Sequence, residues 1–296
     1  MNKLYILYGI LFLIILCIFF MYIGCNNYDY DASNIEPMIT DNKLSFLHLV
    51  LFSQESVLSP NGSSYYECMR ETTSPYYKTF PNVKTIYYTF SDTIQADYEL
   101  KDNILYIKGK ETYLPGILDK TIKAFEYFQN EYMNYDYVIR SNISTIINFN
   151  LLNSELLINP VEYGGGDLLN LQWLDDNSGI IDDTWFGTIY QSGTSIIFSK
   201  NAFQKLLKHK SYIRYNLIDD VALGVLFKEH IPEIQPTSFP SPNNKFIRVN
   251  SIEDNNLSSI VNNHKYIFYR NRTESREQDC IQMKKIIHYL QKMGKI

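Results

Sequence analysis

Hydrophobic and polar positions change period several times along the chain, and each change marks an element. Leu44 to Phe52 is an apolar run of strand length, Val83 to Phe90 is a second, rich in β-branched and aromatic residues, and Ile104 to Ile107 is a third. All three predict buried strands. From Leu118 to Tyr132 apolar side chains recur at Leu118, Ile122, Phe125 and Phe128 or Tyr132, the spacing of an amphipathic helix that follows the Pro115-Gly116 turn. Tyr135 to Arg140 alternates again as a strand and ends in the polar stretch Ser141-Asn142-Ile143-Ser144, so strand, helix and strand predict a βαβ crossover. Thr194 to Ser199 reads as a strand leading into a helix over Asn201 to Lys208. Ile218 to Phe227 reads as a helix whose first turn carries Asp219 and Asp220, and Gln278 to Met293 as a last helix. Tyr163-Gly164-Gly165-Gly166-Asp167 is expected to be a flexible loop, and Pro232, Pro236, Pro240 and Pro242 to exclude regular structure around them. No internal repeat is present. The pattern is that of one α/β domain over residues 43–296, either doubly wound or with a mixed sheet.

The N-terminal pattern is different. Leu4 to Ile23 is a run of twenty residues without a charge, and at about 1.5 Å rise per residue it spans roughly 30 Å of hydrocarbon. A cleaved signal peptide has a shorter apolar region, about 7 to 15 residues, so the run reads as a transmembrane signal anchor behind a tail of residues 1–3. Residues 24–42 are polar and acidic, contain Pro37 and read as a stem. Lys3 before the span and Asp29, Asp31 and Glu36 after it orient the C-terminal domain to the lumenal or external side. In a eukaryotic or viral setting that means a Golgi- or ER-like lumen.

Composition narrows the partners. Apolar residues make up 45% and charged residues 20%, as in a folded protein, and the net charge is -5. No broad basic field exists for a nucleic acid, and an acidic ligand would need a local cationic pocket. Of four cysteines, Cys17 and Cys25 belong to the span and its edge. Cys68 and Cys280 remain, either as a disulfide or as two free thiols. Sequons stand at Asn61, Asn142, Asn256 and Asn271. The five histidines show no zinc-ligand spacing, and no Gly-x-Ser-x-Gly elbow occurs.

Four short stretches in fixed order carry a resemblance. Lys120-Thr121 lies in a helix, Tyr135-Asp136-Tyr137-Val138-Ile139-Arg140-Ser141-Asn142 in a strand, Ser192-Gly193-Thr194 leads into Phe198-Ser199-Lys200, and Asp219-Asp220-Val221 opens a helix. The order resembles the β-1,3-glycosyltransferases of family 31 and the fringe-like enzymes, over about residues 43 to 227. The resemblance implies a GT-A-like α/β fold, a mixed, mostly parallel sheet flanked by helices, behind a signal anchor and stem. It also implies a nucleotide-sugar donor, a glycan or glycoprotein acceptor, and transfer with inversion.

In that family the matching strand ends in an Asp-x-Asp motif holding Mn²⁺ or Mg²⁺ against the donor diphosphate. Here Asn142 and Ser144 stand at those positions, and neutral oxygens compensate a divalent cation far less than carboxylates do. Three outcomes stay open. The leaving diphosphate is stabilised without metal by cations such as Arg140 or Lys120, other acids hold the metal, or the domain is an inactive carbohydrate-binding or interaction module. The resemblance sets Ser141, Asn142 and Ser144 on the donor side with Arg140 and Lys120; the plain alternative for Asn142 and Ser144 is a turn after the strand. Asp220 matches the family's general base for the acceptor hydroxyl, with Asp219 beside it on the acceptor side; the plain alternative for both is helix-start acids. Gly165, Gly166 and Asp167, with Ser192 and Gly193, are expected to approach the acceptor, or else to be an ordinary loop and a tight turn. Trp173 and Trp185, flanking Asp175, Asp176, Asp182 and Asp183, suit sugar stacking or core packing equally.

Overall fold

The computed structural model describes residues 43–53, 64–239, 246–249, 254–262, 266–273 and 275–294. In chain order the elements begin with β1 (Phe46–Leu51), α1 (Tyr65–Tyr77), β2 (Val83–Ser91), β3 (Tyr98–Lys101), β4 (Ile104–Lys108), α2 (Gly116–Tyr127), β5 (Tyr137–Asn142) and β6 (Thr145–Ile147). They continue with α3 (Phe149–Ile158), β7 (Tyr163–Gly165), β8 (Leu168–Asn170), β9 (Ile189–Gln191), β10 (Ser195–Ser199), α4 (Lys200–His209) and α5 (Asp219–His230). The last are β11 (Pro236–Ser238), β12 (Phe246–Val249), α6 (Asp254–Asn262), β13 (Phe268–Asn271) and α7 (Arg276–Gly294). The expected apolar span, its tail and the stem lie outside the described residues, as does Asn61. Among the described residues no helix is long and apolar enough to cross a membrane.

Eight strands form one mixed sheet in the order β11-β7-β10-β5-β1-β2-β4-β3. Its centre, β5-β1-β2-β4, is parallel, and β10 and β3 flank that centre antiparallel. Both faces are buried, which is why β1 reads as a continuous apolar run rather than an alternation. Odd positions Leu47 and Leu49 meet α2, α4 and α5 through Leu118, Phe125, Phe203 and Val221. Even positions Phe46, Val50 and Phe52 join the core under α1, α3, α6 and α7, with Met69, Leu152, Leu257 and Met283. His48 is the polar exception on that face. It is fully buried between Tyr77 and Phe149, at 2.8 Å from the Ser141 hydroxyl, and burial drives its pKa down to about 3, so the ring is neutral.

Two sequence expectations fail for packing reasons. The glycine run is strand β7, not a flexible loop: β10 pairs with it on one side and β11 on the other, and a Cβ on Gly165 would collide with the Ser195 carbonyl. The proline-rich segment contributes β11, whose Pro236 opens a short strand at the sheet edge, where a missing N–H is tolerated. Of the sequons, Asn271 is fully buried and its amide donates to the Ser144 and Tyr269 carbonyls, so no glycan fits there.

A second sheet, β12-β13-β6, pairs β13 antiparallel with β6, laying Arg270 opposite Thr145. Cys68 of α1 and Cys280 of α7 form a disulfide across 212 residues. Closing so long a loop constrains the unfolded chain, so Cys68→Ser with Cys280→Ser is expected to lower the unfolding free energy by about 2 to 5 kcal/mol. Urea denaturation of the oxidised and variant proteins measures it; equal midpoints would show that the bridge contributes nothing.

Candidate active site

Connectivity decides where a ligand can enter. After β1 the chain crosses through α1 to β2 on one side, whereas α2 carries it from β4 back to β5 on the other side of β1. The strand order therefore reverses at β1 and β5, and their carboxyl ends diverge into a crevice, the usual ligand site of such sheets. Two adjoining cavities of about 460 and 480 Å³ lie there and share Leu51, Tyr113, Ile117, Asn142, Arg270 and Arg276. Phe52, Tyr66, Glu111, Lys120 and Ser144 complete the first lobe. Arg140, the Ser192-Gly193-Thr194 turn, Asp219, Asp220 and Arg272 complete the second.

Arg140 organises the second lobe from beneath. Its side chain is 1% exposed, and its guanidinium ion-pairs with Asp219, itself 4% exposed. Nη1 donates to the Gly193 carbonyl and, at 2.9 Å, to Asn142 Oδ1, while the Tyr88 hydroxyl bonds to Thr121 at 3.0 Å. A Cβ at Gly193 would stand 2.9 Å from Arg140 Nη1, so a larger residue there would press on the buried cation. Lys120, 2% exposed, is likewise committed: its ammonium donates to both Glu111 oxygens at 2.6 and 2.7 Å and to the Phe52 carbonyl at 2.8 Å.

Asp220 follows Asp219 but faces the cleft. Oδ2 accepts the Gly193 N–H and Oδ1 the Val221 N–H, each at 2.9 Å. A carboxylate oxygen has a second acceptor site, so one N–H on each leaves room for an incoming hydroxyl. Burial and the adjacent Asp219 raise the Asp220 pKa from 3.8 to about 6, against the pull of the Gly193 N–H and Arg140. A carboxylate poised there is ionised at neutral pH yet basic enough to take a proton.

The structure thus gathers Asp220, Asp219, Arg140, Asn142, Ser192 and Gly193 around one lobe, and Lys120 and Ser144 around the next. Ser141 points to the opposite face, toward His48. Gly165, Gly166 and Asp167 stand behind the turn, where the Asp167 carbonyl takes the Ser192 N–H at 2.9 Å, and they are not among the residues lining either lobe. Trp173 is partly exposed against Tyr190, and Trp185 lies under Arg214 at 5.6 Å; neither ring lines a lobe. Sequence reasoning missed Arg270, Arg272 and Arg276. Their signal was three arginines within a seven-residue stretch of an acidic chain.

No protein-family model matches the chain, and no curated protein matches it in sequence. Among solved structures it is similar to a glycosyltransferase involved in the glycosylation of the major capsid of PBCV-1, at 10% identity and TM-score 0.42, covering 81% of this chain and 99% of that one. It is also similar to the 4-diphosphocytidyl-2C-methyl-D-erythritol synthase of Anaerococcus prevotii, at 11% identity and TM-score 0.36, covering 67% and 91%. HddC from Yersinia pseudotuberculosis follows at 12% identity and TM-score 0.32, covering 65% and 89%. Likenesses this distant fix neither family nor activity, and the reading of the cleft rests on its own geometry.

Two outcomes follow from these charges. Asp219→Ala leaves Arg140 buried without its counter-charge and is expected to destabilise the domain by about 3 to 5 kcal/mol, measurable by chemical denaturation. Asp220 has the opposite sign. Its folded-state pKa lies above the ordinary 3.8, so its favourable share is fully present below about pH 4 and is lost as pH rises through about 6. Asp220→Asn is therefore expected to keep or raise Tm at pH 7.5, and a clear drop would show that the carboxylate is a structural cap.

Proposed function

We propose that this cleft transfers a sugar from a nucleotide-diphosphate donor to a hydroxyl of a glycan or glycoprotein, in a GT-A-like domain held at a membrane by residues 4–23. The observation that carries the reading is Asp220, with a pKa raised to about 6, standing in the same crevice as the turn after Arg140 and facing an arginine-rich wall. In the proposed step Asp220 takes the proton of the acceptor hydroxyl while that oxygen bonds to the anomeric carbon. The bond from that carbon to the donor phosphate oxygen breaks, and its electron pair leaves on the nucleoside diphosphate. Attack on the face opposite the leaving group gives inversion, in line with the family resemblance. The Cys68–Cys280 disulfide supports the lumenal or external side, where such bridges persist.

Full-length protein in detergent, given a panel of nucleotide sugars and acceptor glycans with and without Mn²⁺, tests the reading. Turnover is expected for one donor class, with kcat reduced about 10²- to 10⁴-fold in Asp220→Asn and kcat/KM falling below about pH 6, the pKa of its carboxylate. Silence with every donor would leave the alternative, an inactive GT-A-like carbohydrate-binding or interaction module.

A further inference from the structure

The resemblance implies Mn²⁺ or Mg²⁺, and the donor set can be tested for fit. Hard dications need several oxygen ligands whose charge compensates their own. Here Asn142 Oδ1 already accepts from Arg140 at 2.9 Å, and Ser144 Oγ accepts from Arg270. Asp219 is paired with Arg140, Glu111 with Lys120 at 2.6 Å, and both Asp220 oxygens take backbone N–H groups at 2.9 Å. Among the described residues no group of three or more His, Cys, Asp or Glu could hold a metal ion. A divalent cation would enter beside guanidinium groups and find Asp220 as the one carboxylate not already paired with a cation among the lining residues, too little charge for a hard dication, so the residues present do not fit it.

They fit an anion. Once Lys120–Glu111 and Arg140–Asp219 are set aside as buried pairs, the charges lining the two lobes are Arg270, Arg272 and Arg276 over Asp220 alone, Arg276 being also paired at 2.8 Å with the buried Asp279, which lines neither lobe. Arg270 touches only the neutral Ser144 hydroxyl, and neither it nor Arg272 has a carboxylate partner among the described residues. Burial, with Arg276, Arg140 and Arg272 nearby, pushes Arg270 down to about 10 against the pull of Asp279, the mark of a cation crowded by cations. The three are held in place by the fold. β13 carries Arg270 at a fixed register on β6. Arg276 lies over Tyr66 at 5.9 Å, one turn before Cys280, whose disulfide fixes α7 to α1.

We propose that Arg270, Arg272 and Arg276 bind the donor diphosphate directly and that this cleft works without a divalent metal. The inference rests on the nucleotide-diphosphate reading above. Planar guanidinium forks match phosphate oxygens and remain charged throughout the working pH range, so they can compensate the diphosphate both in the bound donor and as it leaves.

Titration calorimetry of inorganic pyrophosphate into the full-length protein tests it, with EDTA or with Mn²⁺. Binding in EDTA is expected, weakened about tenfold or more by each of Arg270→Gln, Arg272→Gln and Arg276→Gln and unchanged by Lys210→Gln, which removes a cation outside the cleft. Arg272 is exposed, so its variant keeps the test valid if Arg270→Gln fails to fold. Binding only with Mn²⁺, no binding in either buffer, or full affinity in Arg272→Gln and Arg276→Gln would overturn the proposal. Pyrophosphate bound in EDTA without turnover of any nucleotide sugar would remove the transferase reading and keep the arginine site. Turnover that needs Mn²⁺ would do the reverse.

Discussion

A single buried guanidinium sets the geometry of the cleft. Arg140 sits near the end of a central strand with 1% of its surface exposed, and a cation so placed is tolerable only when its charge is paired. Its partners come from three separate segments: Asn142 of its own strand, the Gly193 carbonyl of the β9–β10 turn, and Asp219 at the start of α5. The pair therefore adds specificity more than stability. Any arrangement that moves α5 or the turn away strands a charge in the core. Because successive residues on a helix point about 100° apart, committing Asp219 to Arg140 turns Asp220 out into the crevice.

The ionisable groups accordingly fall into two populations. Lys120–Glu111 and Arg140–Asp219 are closed pairs that support the sheet's carboxyl edge from below. Arg270 of β13, Arg272 just after it and Arg276 at the start of α7 line the crevice instead, Arg276 while paired with Asp279 at 2.8 Å. In a protein of net charge -5 three arginines thus gather at this cleft, and low-dielectric walls focus their field at its mouth.

The central elements were legible because parallel strands buried on both faces become unbroken apolar runs, and α2 and α5 show their periodicity or their N-terminal acids openly. Asp219 and Asp220 could be placed together at a helix start, but which one the core would take depends on Arg140, a partner some eighty residues away. Helix α1 was missed because Pro75 and the Thr72-Thr73 pair obscure its pattern, and β7 because its glycines answer to strand packing that only the assembled sheet creates. The arginine wall was invisible for a related reason. Nothing local says that β13 returns to pair with β6, and without that pairing Arg270 is merely a basic residue near the C-terminus.

The same pairing explains why neutral residues after Arg140 and arginines after Tyr269 belong to one design. β13 sets Arg270 against the β5–β6 turn, where its guanidinium donates to the Ser144 hydroxyl. A carboxylate at position 144 would take that guanidinium in an ion pair and cancel the charge offered to the crevice. A carboxylate at 142 would compete with Asp219 for Arg140 and loosen the anchor of α5. Acids at these two positions suit a cleft that recruits a dication. With the arginines present, Asn142 and Ser144 leave the charge of Arg270 without a counter-charge at this turn, and so the neutral residues after Arg140 and the cation on β13 belong to one electrostatic arrangement.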